Sequence, residues 1–293
     1  MISVIIVSWN VRELLKKCLE SIFRYTNKNT PMEGVFSGNS AKPVSGISGV
    51  SHLEDSIQGE KDLSSATQMD GTGFEVIVID NASFDGSVEM VRNDFPQTRL
   101  IANQENRGFA AASNQGIREA KGEYVLLLNS DTELIENSLQ KVVEKMCSDS
   151  SISVLGCKLL NPDKTLQPSV RHLPTIWSQL VILFKLHRVG LAKLYWYLMK
   201  DFDYEREAEV DQVMGAFFCI RKSLLDKIGL LDEGYFIWFE EVDFCRRTKK
   251  AGYKVVYWPG TAIIHHGGQS FAKQMTLKKQ WWFFRSALRY FTK

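Results

Sequence analysis

The chain has 293 residues, 44% hydrophobic, 24% charged and 11% aromatic, a balance that excludes a disordered or fibrous protein. Its 36 Lys and Arg against 34 Asp and Glu leave a formal charge of +2, so no general polyanion-binding surface is expected and nucleic acid is not an expected partner. The five cysteines, Cys18, Cys147, Cys157, Cys219 and Cys245, are scattered without a CxxC pair, and read as reduced thiols of a cytosolic chain. The N-terminus has neither the basic region nor the cleavage site of a signal peptide. No apolar run reaches the ~20 residues that span a bilayer.

Residues 2–8 (ISVIIVS) are apolar and β-branched without alternation, the pattern of a strand buried on both faces of a parallel sheet. Val11, Leu14, Leu15, Cys18, Leu19, Ile22 and Phe23 then recur at helical spacing and predict an amphipathic helix ending near Tyr25. Residues 30–72 are rich in Ser and Gly with one aromatic, Phe36, too little apolar surface to order the segment, which reads as a flexible insertion. The pattern resumes with a strand at 74–80, a helix at 85–94, a strand at 99–102, a helix at 107–120 and a buried strand at 123–128. Such alternation predicts βαβ units and a parallel sheet. Further on, helices are expected at 134–146, 175–200 and 240–251 and strands at 153–160, 210–220 and 254–258. An aromatic and basic helix closes the chain.

In an open α/β sheet, functional groups gather at the carboxyl ends of the strands. Asn129, Ser130 and Asp131 follow the strand at 123–128. A carboxylate there can hold a hard divalent cation that also meets phosphate oxygens, or it can cap a helix beginning at Thr132. Asp80 and Asn81 carry the same pair of readings. Trp238 to Phe244 place Glu240, Glu241 and Asp243 beside aromatics; a carboxylate against an apolar wall gains the proton affinity of a general base, whereas acids at a helix start also complement its dipole. His265 and His266 precede two glycines, where a histidine can ligate metal or simply pack.

These segments together resemble family 2 of the inverting, metal-dependent glycosyltransferases with the GT-A fold, in its rhamnosyltransferase-like branch. The resemblance rests on an ordered set: SVIIVSWN, VIVIDNASFDGS, NQENRGFAAASNQGI, EYVLLLNSDTEL, GAFFCIR, GLLDEGYFIWFEEVDFCRR and AGYKVVYWPGTAIIHHGGQS. It implies an α/β fold with a Rossmann-like, mostly parallel central sheet flanked by helices, and C-terminal helices on the acceptor side. Residues 1–270 would form the catalytic domain and 271–293 a C-terminal helix.

The resemblance also implies site residues. Trp9, with Val7, Ser8 and Asn10, falls where the family holds the nucleotide base. Asp80 and Asn81 fall at its base and ribose contacts, and Asn106, Arg107, Gly108 and Asn114 line the nucleotide-sugar pocket. Asn129, Ser130 and Asp131 replace the family's Asp-x-Asp, so Asp131, with His265, would hold Mn²⁺ or Mg²⁺. Glu241 stands in place of the usual catalytic Asp, with Glu240 and Asp243 as further candidates. The implied partners are a dTDP- or UDP-linked sugar donor and a glycan or polyprenyl-diphosphate-linked acceptor.

Residues 278–291 and 175–200 interleave aromatics with cations as interfacial helices do. A place on the inner face of the cytoplasmic membrane is therefore expected, set against ordinary packing of a terminal helix. Two other functions stay open. A sugar nucleotidyltransferase would carry a Gly-rich basic loop after its first strand, which VSWNVRELL is not. A non-catalytic nucleotide-sugar-binding module is consistent with Asn129 and Glu241 in place of the usual acids.

Overall fold

The apolar run at the start of the chain becomes the strand around which the rest is arranged. In a computed structural model, residues 1–26, 68–69, 72–184, 186, 194–267 and 276–293 are described. They form β1 (Ile2–Ser8), α1 (Arg12–Thr26), β2 (Gln68–Met69), β3 (Thr72–Asp80), α2 (Ser87–Asp94), β4 (Arg99–Ala102) and α3 (Phe109–Glu119). β5 (Tyr124–Asn129), β6 (Thr132–Leu134), α4 (Ser138–Ser148), β7 (Ile152–Leu160), β8 (Leu166–Gln167), β9 (Val170–Arg171) and α5 (Ile176–Leu183) follow. The remainder is β10 (Ala208–Glu209), β11 (Gln212–Val213), β12 (Phe217–Arg221), α6 (Lys222–Ile228), α7 (Glu240–Lys250), β13 (Lys254–His265) and α8 (Thr276–Thr292).

The main sheet runs β10-β13-β7-β12-β5-β1-β3-β2, with β4 on β3, β6 on β13 and β8 on β7. β4, β3, β1 and β5 are parallel, β12 is antiparallel to both its neighbours, and β13 runs parallel to β7. Alternate residues of β1 enter different cores. Ile2, Val4 and Ile6 pack with Leu15, Cys18, Leu19 and Ile22 of α1 and with α2 and α4. Ile5 packs on the other face with Ala110, Ala112 and Ile117 of α3, and α6 and α7 extend that layer. Covering both faces is what makes a non-alternating strand favourable.

Register then sets the site. Val7 lies beside Ile79 and Asn129, and Ser8 beside Asp80, so three strand ends finish level. α3 reaches the same rim because it lies close on the sheet: a Cβ on Gly116 would sit 2.5 Å from Ile5 Cγ2 and 2.8 Å from Ile79 Cδ1.

Several expectations need correction. Residues 132–134 are strand, not helix, because β6 pairs with Ile263–His265 of β13; α4 starts later, capped by the Asn137 side chain on the Gln140 N–H. Asp131 therefore caps no helix. The strand expected at 254–258 continues to His265 through an irregularity between Trp258 and Ala262, and the one expected at 210–220 breaks in two around Met214, whose N–H bonds to Ser169. Of 175–200, Ile176–Leu183 is helical and 195–200 forms turns; 185 and 187–193 lie outside the described residues. So does most of the 30–72 insertion, except that Gln68–Met69 pairs back on Thr72–Gly73.

The terminal helix does pack. α8 joins a small aromatic core of Tyr235, Phe239, Val242 and Tyr290, with Phe283, Ala287 and Phe291 against it, and α5 packs on α8. Its outer face carries Leu277, Trp281, Phe284 and Leu288, all exposed, at a spacing of one helical stripe. Ile176, Trp177, Leu180 and Phe184 at α5 are exposed as well. Among the described residues no helix is long and apolar enough to cross a membrane.

Overpacking the contact of α3 with β1 should cost stability. Gly116→Val is expected to lower the urea midpoint by the equivalent of about 1–3 kcal/mol; an unchanged midpoint would mean that α3 is free to move outward.

Candidate active site

A cleft of about 380 Å³ opens at the carboxyl ends of β1, β3 and β5. It brings together Val7, Ser8 and Trp9 after β1, Asn81 after β3, Asn106 and Gly108 before α3, and Asn129, Ser130 and Asp131 after β5. Glu240 and Glu241 at the start of α7 and His265 at the end of β13 complete it. Asn10, Asp80, Arg107, Asn114 and Asp243 do not line it.

Asn81 organises the nucleotide-side loop. Its Nδ2 donates to Asn106 Oδ1 at 3.0 Å and to the Gly108 carbonyl at 3.2 Å, and its Oδ1 accepts from Asn103 Nδ2 and the Arg107 N–H, each at 3.1 Å. Gly108 is required at φ +82°: a Cβ there would fall 2.5 Å from the Phe236 carbonyl, which accepts from the Phe109 N–H. Beneath this rim two buried oxygens, Ser8 Oγ and Asp80 Oδ2, have no hydrogen-bond partner among the described residues. Buried polar atoms left open at one place are the mark of a site awaiting a ligand. Asp80 Oδ1 itself accepts from the Ser83 N–H, and Asn10 Oδ1 from the Phe84 N–H.

Asn114 is engaged elsewhere. Its amide clamps Leu231, donating to the carbonyl at 2.8 Å and accepting from the N–H at 3.1 Å, and reaches Glu233 at 3.0 Å. It fixes the loop leading to α7.

Asp131 and His265 meet because β6 carries one beside the other. His265 Nε2 lies 3.3 Å from Asp131 Oδ1 and 3.4 Å from Asn129 Nδ2. His265 Nδ1 lies 2.6 Å from Gln167 Oε1; Gln167 Nε2 donates to Asn161 Oδ1 and to the His265 carbonyl, which leaves Oε1 as the acceptor. Nδ1 is thus the protonated nitrogen, and the Nε2 lone pair faces Asp131. A lone pair and a carboxylate oxygen this close fit a shared cation. No group of three or more His, Cys, Asp and Glu converges among the described residues; Asp131 and His265 are the pair in the cleft whose donor atoms could hold a hard cation.

The acidic end is built on strained backbone. Trp238 and Phe239 both adopt left-handed φ, +63° and +74°, a conformation that costs roughly 1–2 kcal/mol for each such residue. α8 holds it: Ser286 Oγ donates to the Ile237 carbonyl at 2.8 Å, and the Phe239 ring lies 5.7 Å from Phe283 and 5.4 Å from Tyr290. The turn buries Glu240 and leaves Glu241 half-buried at the cleft wall. Burial, and then the charge of Glu241, push the Glu240 carboxyl well above its ordinary range. Burial also raises Glu241, against the opposing charge of Arg171. Glu240 Oε2 has no hydrogen-bond partner among the described residues. Asp243 is different: fully buried, it is neutralised by Arg247 at 2.8 Å and by Arg246 and Lys293 at 3.2 Å.

Sequence reasoning passed over Arg171, Met214, Phe236 and Gln167. The first three line the cleft from short or irregular segments with no periodic signal, and Gln167 acts only through His265.

The architecture is the GT-A fold. Two solved structures share it: GalNAc-T7 with UDP, GalNAc and Mn²⁺ (TM-score 0.55, 16% identity, 90% of this chain and 43% of that one), and the mannosyltransferase PcManGT from Pyrobaculum calidifontis with GDP-Man and Mn²⁺ (TM-score 0.52, 17%, 98% and 64%). The family model for glycosyl transferase family 2 matches residues 61–229, and the chain belongs to that family. It is a glycosyltransferase of an inverting family. Similar relatives include the N-acetylglucosaminyl-diphospho-decaprenol L-rhamnosyltransferase of Mycobacterium tuberculosis, 26% identical over 230 residues that cover 72% of each chain. Rhamnosyltransferase WbbL of Escherichia coli is 29% identical over 177 residues, covering 59% of this chain and 63% of that one.

Because Glu240 binds its proton more tightly folded than unfolded, the folded state loses stability as pH rises from the ordinary carboxylate value of 4.5 through the raised one. Glu240→Gln is therefore expected to raise the urea midpoint at pH 7 and to leave it unchanged below pH of about 4. Equal midpoints at pH 7 would place Glu240 in water.

Proposed function

We propose that the chain transfers a sugar, rhamnose first among the candidates, from a dTDP- or UDP-linked donor to a glycan or polyprenyl-diphosphate-linked acceptor in the synthesis of a cell-surface polysaccharide. The observation that carries this is the layout of one cleft, with Asp131 and His265 converging at its phosphate side and the desolvated Glu240 and Glu241 at its other side. The names of the mycobacterial and Escherichia coli relatives favour rhamnose, and that of the former favours a lipid-linked acceptor.

In this reading Trp9 stacks on the donor's base, with Val7 and Ser8 alongside, while the open Ser8 Oγ and Asp80 Oδ2 take its polar atoms. Asn81 holds Asn106, Arg107 and Gly108 around the donor, and Asn129 and Ser130 border the diphosphate. Asp131 and His265 hold Mn²⁺ or Mg²⁺, which when bound neutralises charge on the departing diphosphate. Burial raises both acids, so the pair holds a proton more tightly than free carboxyls do; Glu241, which lies nearer the Arg171 charge, is taken as the base. From the face opposite the leaving group, Glu241 takes the acceptor hydroxyl's proton. A single in-line displacement inverts the anomeric carbon. Asp243 supports α7 through its ion pairs, and Asn114 supports the approach to it. The exposed stripes of α5 and α8 rest on the inner membrane face, where such an acceptor is met.

Release of nucleoside diphosphate from a panel of donors, with Mn²⁺, Mg²⁺ or EDTA, tests the reaction. Selective, EDTA-sensitive release is expected from one donor, and Asp131→Ala should abolish it; full activity in that variant at saturating donor would remove Asp131 from the mechanism. Glu241→Gln should lower transfer about 10²–10⁴-fold. In the wild type, transfer should rise with pH along a limb lying above 4.5, as Glu241 ionises through its raised pKa. Binding of the panel without turnover by any donor would favour a nucleotide-sugar-binding module. The wild type should also sediment with anionic vesicles, and Trp281→Glu with Phe284→Glu should release it; a wild type indifferent to vesicles would exclude the membrane contact.

A further inference from the structure

We propose that a second cavity, across Glu241 from the donor cleft, holds the acceptor's saccharide head, and that Arg171 reads a phosphate group attached to it. The inference rests on the transferase reading above. The cavity measures about 310 Å³ and shares Arg171, Met214, Trp238 and Glu241 with the cleft. Glu241 is the one acid lining both, so an acceptor seated here meets the base without displacing the donor.

The walls suit a saccharide. Tyr197, Trp238, Phe239 and Phe283 present aromatic surface, and Gln179 and Gln212 add amides, the combination of apolar wall and few polar groups that binds and orients a small ligand. An independent observation points to an occupant: Ser169 is 4% exposed, lines this cavity, and its Oγ has no hydrogen-bond partner among the described residues. Its backbone N–H bonds to Tyr204 Oη instead.

Among the described residues, Arg171 is the only cation lining the cavity. It sits on β9, paired with Gln212 of β11, and its strand neighbours Ser169, Gln212 and Val213 face this cavity and not the cleft. The next residue is anchored from two sides: His172 stacks on Trp196 at 4.2 Å and bonds Asp211 at 2.8 Å, and Lys249 pairs with Asp211. These contacts fix the backbone beside Arg171, which lines the cavity; a guanidinium there would donate to a phosphate oxygen on the acceptor, as a planar fork of five donors does best. The helices that wall the cavity, α5 through Gln179 and Ile182 and α8 through Phe283, carry exposed apolar residues outward. A lipid on that phosphate has a surface to follow.

The test is binding, on the full chain saturated with nucleoside diphosphate so that the donor site is filled. The probes are N-acetylglucosaminyl-diphospho-farnesol and farnesyl N-acetylglucosaminide, which share sugar and lipid and differ in the diphosphate. The wild type should prefer the first by about 10- to 100-fold, and Arg171→Met should erase the preference while nucleoside diphosphate affinity stays the same. Ser169→Val, which keeps the charge, should weaken both probes. Equal binding of the two probes by the wild type would overturn the proposal. So would a loss of nucleoside diphosphate affinity in Arg171→Met, which would assign the arginine to the donor. If the probe preference holds but the wild type releases nucleoside diphosphate from no donor, the transferase reading fails and the anion site stands.

Discussion

A buried carboxylate, Glu240, beside a half-buried one, Glu241, is the constraint around which this molecule is organised. An isolated ionised carboxylate in an apolar setting is costly, and Glu240 and Glu241 aggravate each other. The fold answers with two devices: the start of α7 supplies a favourable dipole to both acids, and Arg171 sets a positive charge near Glu241. Neither returns the pair to water, so the acids keep the proton affinity that base chemistry requires.

Holding them there needs a strut, and α8 is that strut. The left-handed Trp238 and Phe239 persist because Ser286, Phe283 and Tyr290 are pressed against the turn, and because Arg289 and Lys293 tie Asp232 on its approach. Arg246 adds a contact over the Tyr290 ring at 4.0 Å. Strain stored in a turn is stable only where surrounding contacts over-determine it. The aromatic and basic composition of the last segment thus has two physical uses, one for each face of the helix. Phe283, Tyr290 and Arg289 work inward, while Leu277, Trp281, Phe284 and Leu288 remain outward.

Strands and helices with strong local patterns were legible in the sequence. β1, β5 and the parallel order around them followed from apolar runs and alternation with helices, and burial on both faces bears this out. What escaped depended on distant partners. Thr132 to Leu134 has no strand signal of its own and becomes β6 only because β13 offers an edge, which turned an apparent helix cap at Asp131 into a strand-end carboxylate. Asn114 lies on the helix that Gly108 caps, but its amide was claimed by Leu231, 117 positions away. Asp243 looks like its acidic neighbours in sequence; only the arrival of Lys293 and two arginines sets it apart. Arg171 and Gln167 sit on two-residue strands, where periodicity has nothing to measure.

The position of Glu241 between two cavities also bears on how substitutions at the acid end are tolerated. A Cβ on Gly215 would lie 3.7 Å from Glu241 Cγ, ordinary contact distance, so the longer acid fits beside Gly215 without crowding it. The additional methylene of Glu over Asp extends the carboxylate from the same backbone position, into the space where Arg171 and Met214 border both cavities. A glutamate here and an arginine near it are thus compatible. The carboxylate gains reach toward the second cavity, and the guanidinium limits how far burial alone can raise its proton affinity.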